Sequence, residues 1–436
     1  MKIPVAVVGG GACGLVAALA ARDAGAEVLV LERDSSPSGS TALSSGFVPA
    51  ADTRFQRAAG VEDSVERFVA DIQRKNHGRA DARMVEAVCR ASGPAIEWLA
   101  DRHGVPFQLL EGFLYPGHSA LRMHCVPEKT GAALMGALLR AVSGAGIDIV
   151  ASARVTQIRP RLRVERPDGS REEMQCDALV LACSGFGGDA KLVRRYIPEM
   201  QEALYFGHSG NQGDAIRWGE ALGASLRDMS AYQGHGSVAV PHGILITWAL
   251  MMEGGIQVNE QGERFSNEHA GYSEQCLPVL EQPGGVAWCI YDERLHQLGM
   301  TFPDYRDAFK AGAVKPAPAL PQLEETLRQV QACVAGAKDP FGRDFSSKPG
   351  LQPPYYAVKV TGALFHTQGG LEVDERARVL GAGGRPIAGL FAGGGAARGL
   401  SGDRVWGYLS GNGLLTAVVL GRLAGEGAAR AARGAA

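Results

Sequence analysis

The sequence lacks the features that mark several classes of protein. Its 436 residues carry 44 Lys+Arg against 46 Asp+Glu, a formal net charge of −2, so no basic excess is present to neutralise nucleic-acid phosphates. No apolar run reaches the roughly eighteen residues of a membrane span, and the N-terminal residues lead directly into a glycine turn rather than a signal peptide. We therefore expect no nucleic-acid partner, no membrane span and a cytoplasmic location.

Cysteine and histidine motifs are also missing. The eight cysteines include no C-x-x-C pair, and several lie in apolar runs such as residues 179–183. This is typical of small core residues in a reducing compartment rather than of disulfides. The ten histidines show neither H-E-x-x-H nor Cys/His ligand spacing, so no metal site is predicted.

Glycine, in contrast, is abundant. The chain has 59 glycines, about twice the usual share. No Gly-X-Y period or Gly/Ser linker accounts for them, so local backbone geometry must require them. With 46% apolar residues over this length, the chain can bury a large core, and two packed domains are expected.

The first glycine cluster lies in an N-terminal βαβ pattern. A buried-type strand at 3–8 leads into Gly9-x-Gly11-x-x-Gly14, and a helix-period segment and a second strand ending at Glu32 follow. The glycines permit a tight turn, close approach to a pyrophosphate and close helix–strand packing, while the acidic residue can accept ribose hydroxyl protons. The pattern predicts a Rossmann-type dinucleotide site.

Further glycine clusters at 38–46, 181–188 and 389–395 indicate which dinucleotide is bound. A nicotinamide enzyme with one Rossmann unit does not need this distribution, whereas an extended FAD lying across a split domain does. The cofactor is therefore predicted to be FAD. Glycine turns become sparse between about 225 and 350, where Pro-rich loops and a helix-like run at 323–334 occur.

These shifts predict an α/β fold with a Rossmann-type FAD-binding domain split in sequence and an inserted α+β capping domain. The FAD-binding parts are predicted at 1–224 and 351–436 and the capping domain at 225–350. A helix is expected to start near 411–413, and the tail from about 424 is expected to fray.

The order of the motifs resembles the flavoprotein family of fumarate reductases, succinate dehydrogenase flavoprotein subunits and 3-ketosteroid dehydrogenases. Besides the N-terminal unit, the resemblance depends on GNQGD at 210–214, GERFSNE at 262–268, HTQGGL at 366–371 and GYLSGNG at 407–413. It implies a mobile cap that holds substrate against FAD, and hydrogen-pair transfer across a carbon–carbon bond beside an electron-withdrawing group.

The resemblance also implies catalytic residues. Dicarboxylate reductases of the family have arginines at two positions where this sequence has Tyr272 and Tyr408, and these resemble the tyrosines of the ketosteroid branch. His366 precedes the Thr-x-Gly-Gly motif, and His235 lies where a cap-junction histidine is expected. A phenol, with an ordinary pKa near 10, needs a neighbouring charge or hydrogen bond to act as a base at neutral pH.

The glycine clusters and the resemblance together predict a cofactor-binding set. It comprises Gly9, Gly11, Ala12, Gly14, Glu32, Arg33, Ser40, Thr41, Ser45, Gly46, Val155, Ala182, Gly185, Asp214, Gly394, Ser410, Gly413 and Leu414. No histidine directly precedes the Ser/Thr cluster after Glu32, where succinate dehydrogenases attach FAD, so noncovalent FAD is expected. Gly395 replaces a glutamate that binds the ribityl chain in many relatives. Since no second complete G-x-G-x-x-G unit occurs, electron transfer to a quinone, dye, partner protein or oxygen is expected rather than direct reduction by a bound nicotinamide.

Three functions are compatible with these features. The first is a dehydrogenase or ene-reductase acting next to the ketone of a small cyclic or 3-ketosteroid-like substrate, with hydride to flavin N5 and a proton to a tyrosine. The second takes a fumarate-like or tricarboxylate substrate, with Arg122, Arg404 and the two histidines replacing the missing arginines. The third is an FAD-binding electron-transfer protein. The polar cluster at 115–124 is either part of the substrate pocket or a solvated loop.

Overall fold

The structure is a computed structural model that describes residues 2–434. Its first layer is an eight-stranded sheet with a parallel centre. Apolar residues follow one another without alternation at 5–8 because both faces of the central strand are buried. In spatial order the main strands are Arg378–Leu380, Pro386–Ala392, Arg171–Leu181, Lys2–Val8, Val28–Leu31 and Asp148–Val150, and Arg154–Gln157 and Leu162–Glu165 continue the sheet from Arg171–Leu181.

Two helices pack against each other beside this sheet. The helix Ala12–Asp23 follows the glycine turn, and the helix Asn412–Gly434 follows the last glycine motif. A Cβ at Gly425 would lie 2.1 Å from the Ala17 carbonyl oxygen, so only glycine permits this contact. The predicted fraying from 424 is wrong, because the second helix continues to Gly434 and buries its small residues against the first.

Other short elements complete this part of the chain. Its helices are Gly39–Ala42, Arg54–Ala58, Val65–Lys75, Ala82–His103, Gly131–Gly144, Ala190–Tyr196 and Asp214–Ala221, with 3-10 turns at Pro198–Met200, Gly394–Ala396 and Val405–Gly407. Val48–Pro49, Met123–Cys125 and Gln108–Leu109 form a three-stranded sheet, and Leu226–Arg227 pairs with Gly370–Leu371.

A second, mainly antiparallel sheet has its own core. In spatial order its strands are Ile244–Leu245, Tyr232–Ala239, Tyr355–Thr367, Val286–Asp292 and Ile256–Val258, and Leu204–Tyr205 and Lys315–Pro316 also pair with Tyr355–Thr367. Its helices are Ala249–Met252, Cys276–Leu280, Glu293–Gly299, Pro303–Lys310 and Leu323–Val334, with 3-10 turns at Glu268–Ala270 and Pro283–Gly285. The last helix coincides with the run predicted at 323–334.

The strand Tyr355–Thr367 lies inside the second sheet although it follows the predicted boundary at 350/351. It pairs with Val286–Asp292 on one side and Tyr232–Ala239 on the other. The chain rejoins the first sheet at Arg378–Leu380. The division at 224/225 and 350/351 stays a prediction, and the strand pairing groups 355–367 with the inserted segment.

None of the helices within residues 2–434 is long and apolar enough to cross a membrane. The eight cysteines all lie in this range, and none is joined to another.

Candidate active site

One cavity extends from the carboxyl ends of the first sheet's strands to the second sheet. Its wall includes the residues that follow the strands Lys2–Val8, Val28–Leu31 and Arg171–Leu181. On the other side it includes residues of Tyr232–Ala239 and of Tyr355–Thr367. The carboxyl edge of a parallel sheet is where open α/β folds bind ligands, so this cavity is the candidate site.

The first glycine turn gives the cavity a bare backbone wall. Gly9 has φ +105°, and a Cβ there would lie 2.5 Å from the Ala182 carbonyl oxygen. At Gly11, by contrast, the nearest atom to a Cβ would be Thr41 Oγ1 at 3.7 Å, so the backbone is open to a ligand. The following helix begins at Ala12, whose N donates to Thr41 Oγ1 at 3.2 Å, and Gly11 supplies no side-chain cap, so the helix N-terminus suits a phosphate.

Glu32 is held on the wall by two backbone N–H groups. Gly10 N donates to its Oε2 at 2.7 Å and Asp34 N to its Oε1 at 2.9 Å. A carboxylate has about four acceptor positions, so capacity for ribose hydroxyls is left. Arg33 Nη1 donates to the Gly210 carbonyl oxygen at 2.7 Å and thereby ties the 210–214 motif to the same region.

All predicted cofactor residues except Gly14 and Gly185 line the cavity. These two are packing positions: a Cβ at Gly14 would lie 1.8 Å from the Gly9 carbonyl oxygen, and a Cβ at Gly185 would lie 2.0 Å from Thr367 Oγ1. At Gly395 a Cβ would lie 2.9 Å from Gly185 N, so a side chain such as glutamate would be crowded there.

Several wall residues are absent from the predicted cofactor-binding and catalytic sets. They are Lys129, Arg154, Cys183, Ser184, Phe206, His208 and Trp218. Cys183 and Ser184 lie within the glycine cluster at 181–188, and Arg154 adjoins the predicted Val155. The other four belong to no predictive motif, and only the fold brings them to the cavity.

The four predicted catalytic side chains come together on the wall near the second sheet. The rings of His235 and Tyr272 stack with centroids 4.6 Å apart. The Tyr272 and Tyr408 rings are 6.2 Å apart, and His366 meets Tyr408 edge to face at 5.5 Å. Tyr408 Oη also accepts a long hydrogen bond, 3.5 Å, from Gly413 N at the start of the C-terminal helix.

Burial keeps this cluster neutral. It raises the pKa of Tyr272 to about 12, although hydrogen bonds with Ser410 and Tyr408 oppose the shift. It also raises the pKa of Tyr408 well above its ordinary value, and the neighbouring Tyr272 adds to this. Burial lowers the pKa of His235 to about 3 and that of His366 to about 4. At neutral pH the tyrosines are therefore hydrogen-bond and proton donors rather than bases.

The tautomer of His235 follows from Ser237. Ser237 Oγ donates to the Ile246 carbonyl oxygen at 2.7 Å and lies 3.1 Å from His235 Nδ1. Because the hydroxyl proton is already engaged, Ser237 must accept from Nδ1–H. His235 Nε2 then carries the lone pair and is a hydrogen-bond acceptor.

Neither predicted replacement arginine reaches the cavity. Arg122 is 1% exposed, and its Nε and Nη2 donate to Asp63 at 2.7 and 2.8 Å while Nη1 contacts Asp71. Arg404 does not line the cavity; its side chain is 56% exposed, and its Nε is 4.0 Å from Asp403. The hypothesis that these arginines clamp a substrate carboxylate has no support in the structure.

The polar cluster at 115–124 divides between two environments. Tyr115 lines the cavity, whereas His118 and His124 are buried beside Arg122. His118 Nε2 lies 2.9 Å from the Ser410 carbonyl oxygen, and His124 Nε2 lies 2.8 Å from Thr53 Oγ1. The solvated-loop interpretation is wrong, because most of the segment is internal.

The wall around the two tyrosines is mostly apolar or aromatic. Phe47, Tyr115, Leu245, Trp248 and Phe302 contribute to it. Among the residues that the structure describes, the lysines and arginines on the cavity wall are Arg33, Lys129 and Arg154. All three belong to chain segments of the first sheet's domain.

A parallel α/β sheet with a bare glycine turn, joined to a second sheet over a shared cavity, defines a two-part dinucleotide-binding protein. The predicted cofactor residues fit FAD, since the Gly11 backbone is open and the carboxylate of Glu32 keeps free acceptor positions. The chain belongs to the FAD binding domain family, whose model matches residues 4–414. The predicted α/β flavoprotein fold and the predicted family are thereby confirmed.

Individual relatives agree with this assignment. The chain is 30% identical over 448 residues to the NADH:fumarate oxidoreductase of Klebsiella pneumoniae, covering 99% of this chain and 48% of that protein. It thus spans about half the length of that relative. The open conformation of a flavocytochrome c3 fumarate reductase has a TM-score of 0.82 and 28% identity, covering 99% of this chain and 78% of the other. The 3-ketosteroid-delta4-(5alpha)-dehydrogenase of Rhodococcus jostii has a TM-score of 0.78 and 26% identity, covering 98% and 97%.

Proposed function

We propose that the protein is an FAD-dependent oxidoreductase that moves a hydrogen pair across a carbon–carbon bond next to a ketone. The substrate is a cyclic, largely apolar compound of the 3-ketosteroid-like kind. The main support is the cluster of Tyr272, Tyr408, His235 and His366, which is neutral and lies within an aromatic wall. A neutral carbonyl suits such a site better than a dicarboxylate, whose charges would be desolvated without a partner.

The residues divide the chemistry between two sides of the cluster. Tyr408 and His366 lie next to Gly413 and donate hydrogen bonds to the substrate carbonyl oxygen. Tyr272, on the other side against His235, holds the proton that is exchanged with the carbon beside the carbonyl. Bound FAD supplies the hydride acceptor or donor.

The proposed FAD is bound noncovalently. Of the two cysteines on the wall, Cys13 is buried and Cys183 is partly buried, and burial raises the pKa of each thiol to about 12. Their thiolates are therefore not populated at neutral pH, and a thioether to the flavin is not expected. Acid precipitation should release the yellow chromophore into the supernatant. A flavin that stays with the pellet would contradict noncovalent binding.

A fumarate-like or tricarboxylate substrate is the second candidate, favoured by the fumarate activities in the names of two relatives. On this hypothesis His235, His366 and the tyrosines would bind the carboxylates without arginine. We also propose a cytoplasmic location. Neither this location nor the electron donor or acceptor affects the choice between the two substrate classes.

One experiment separates the candidates. The FAD-loaded protein is mixed anaerobically with cyclic ketones, 3-ketosteroids, and di- or tricarboxylates, and flavin absorbance is recorded. The dithionite-reduced protein is then mixed with the corresponding unsaturated compounds. We expect a response to ketones in at least one direction. A response to carboxylates alone would refute the ketone proposal, and no response in either direction would favour an electron-transfer protein.

A further inference from the structure

The two ring nitrogens of His366 have different surroundings. A Cβ added to Gly413 would lie 2.6 Å from Nε2, so this nitrogen faces the N-terminus of the C-terminal helix at the cavity wall. Nδ1 points the other way, and Gln368 Nε2 lies 3.0 Å from it. The cavity-side nitrogen can thus meet a substrate, while the other nitrogen has a protein partner.

Gln368 is fixed by its own neighbours. Ser401 Oγ donates to its Oε1 at 2.9 Å, and both residues are buried. The backbone N of Gln368 donates to the Ala231 carbonyl oxygen at 2.8 Å, and its carbonyl oxygen accepts from Gly399 N at 2.8 Å. A Cβ at Gly399 would lie 2.5 Å from Oε1, so a glycine there leaves room for the amide.

The orientation of the Gln368 amide sets the histidine tautomer. In the structure Oε1 of Gln368 faces the Ser401 hydroxyl, and the amide NH₂ faces His366 Nδ1. An NH₂ group can only donate, so Nδ1 must carry the lone pair and the proton of the neutral ring must be on Nε2. The Thr367 carbonyl oxygen, 3.3 Å from Nδ1, favours the opposite tautomer, but it is farther away than the amide.

We propose that Gln368 and Ser401 are positioning residues that hold His366 with its proton on Nε2, as a hydrogen-bond donor toward the substrate carbonyl oxygen. The part that concerns the substrate rests on the function proposed above. The part that concerns the tautomer rests on the orientation of the Gln368 amide in the structure.

The tautomer is measured by nitrogen NMR on FAD-loaded protein labelled with ¹⁵N-histidine, with His366→Asn identifying the signals. We expect wild-type His366 to show an unprotonated Nδ1 and a protonated Nε2. In Gln368→Glu the new carboxylate accepts from Nδ1, so Nδ1 should become protonated. In Ser401→Ala the amide is free to rotate, and a mixture of tautomers is expected. A protonated Nδ1 in the wild type would overturn the proposal.

Measurements of kcat/KM test whether the His366 tautomer matters for catalysis. In Gln368→Glu, kcat/KM for the ketone substrate should fall by about tenfold, the value of one lost hydrogen bond of about 1.4 kcal/mol. Gln329→Glu, on an exposed helix face of the inserted segment, adds the same charge far from the cavity and should keep wild-type turnover. If Gln368→Glu does not fold, Ser401→Ala should still lower kcat/KM.

The two levels of the proposal fail in different ways. Wild-type tautomer signals as expected, with no ketone turnover, would refute the function and leave the role of Gln368 intact. Ketone turnover that Gln368→Glu and Ser401→Ala both leave unchanged would refute the positioning role and leave the function intact.

Discussion

Replacing Arg122 by methionine tests whether this arginine stabilises the fold or binds substrate. In the structure Arg122 makes hydrogen-bonded ion pairs with Asp63 and Asp71, and all three side chains are almost completely buried. Arg122→Met leaves Asp63 buried without a cation, while Asp71 loses one of its two arginine partners and keeps Arg74. Breaking a buried pair in this way costs about 3–5 kcal/mol.

The measurement is urea unfolding of the FAD-loaded protein followed by circular dichroism. Arg122→Met should lower the free energy of unfolding by about 3–5 kcal/mol. Arg404→Met is the matched control, because that guanidinium is mostly exposed and its ion pair with Asp403 is long, at 4.0 Å. The control should change stability by less than about 0.5 kcal/mol.

The effect should depend on pH. Burial alone would raise the pKa of Asp71, but hydrogen bonds from Arg122 and Ser119 outweigh it and hold the pKa below its ordinary value. A carboxyl with a lowered folded pKa stabilises the fold above its unfolded pKa of about 4, and this stabilisation is lost as the pH falls through the folded pKa. The difference between wild type and Arg122→Met should therefore shrink in strong acid.

The opposite pattern would refute the structural role of Arg122. If Arg122→Met left the unfolding midpoint unchanged but raised KM for a dicarboxylate or tricarboxylate, the arginine would be a substrate ligand. The carboxylate hypothesis would then replace the ketone hypothesis.

Three further predictions concern the cavity. Tyr408→Phe should slow ketone turnover by about 10²-fold or more with FAD still bound, as checked by stopped-flow and flavin absorbance, and near-normal rates would remove Tyr408 from the mechanism. His235 and His366 have pKa values of about 3 and 4 in the folded protein, against about 6.5 in the unfolded chain. The free energy of unfolding should therefore fall as the pH drops from about 6.5 toward 4. In thermal melting at several pH values, His235→Asn should make this dependence shallower. Gly395→Ala should destabilise the protein by about 1–3 kcal/mol in urea unfolding, whereas Gly383→Ala, with open space at its Cβ, should not; equal effects would contradict the crowding argument.

Local patterns predicted several elements of the fold well. The strand, turn and helix around Gly9 to Gly14, the helix at 323–334 and the start of the last helix near Asn412 all depend on residues close together in sequence. The behaviour of the chain beyond 424 was mispredicted, because its glycines and alanines resemble a loose tail. In the structure these small residues form a flat helix face that packs closely against the helix Ala12–Asp23. The packing depends on that partner helix, which is distant in sequence.

The sequence by itself determined that the cofactor is a dinucleotide, since the spacing from Gly9 to Glu32 specifies a backbone turn whose geometry is local. Only the tertiary structure decided which side chains face that cofactor's cavity. Within one short segment Tyr115 reaches the wall while Arg122 is turned inward by Asp63 and Asp71. These assignments depend on burial and on partners far apart in the chain, and no local pattern encodes them.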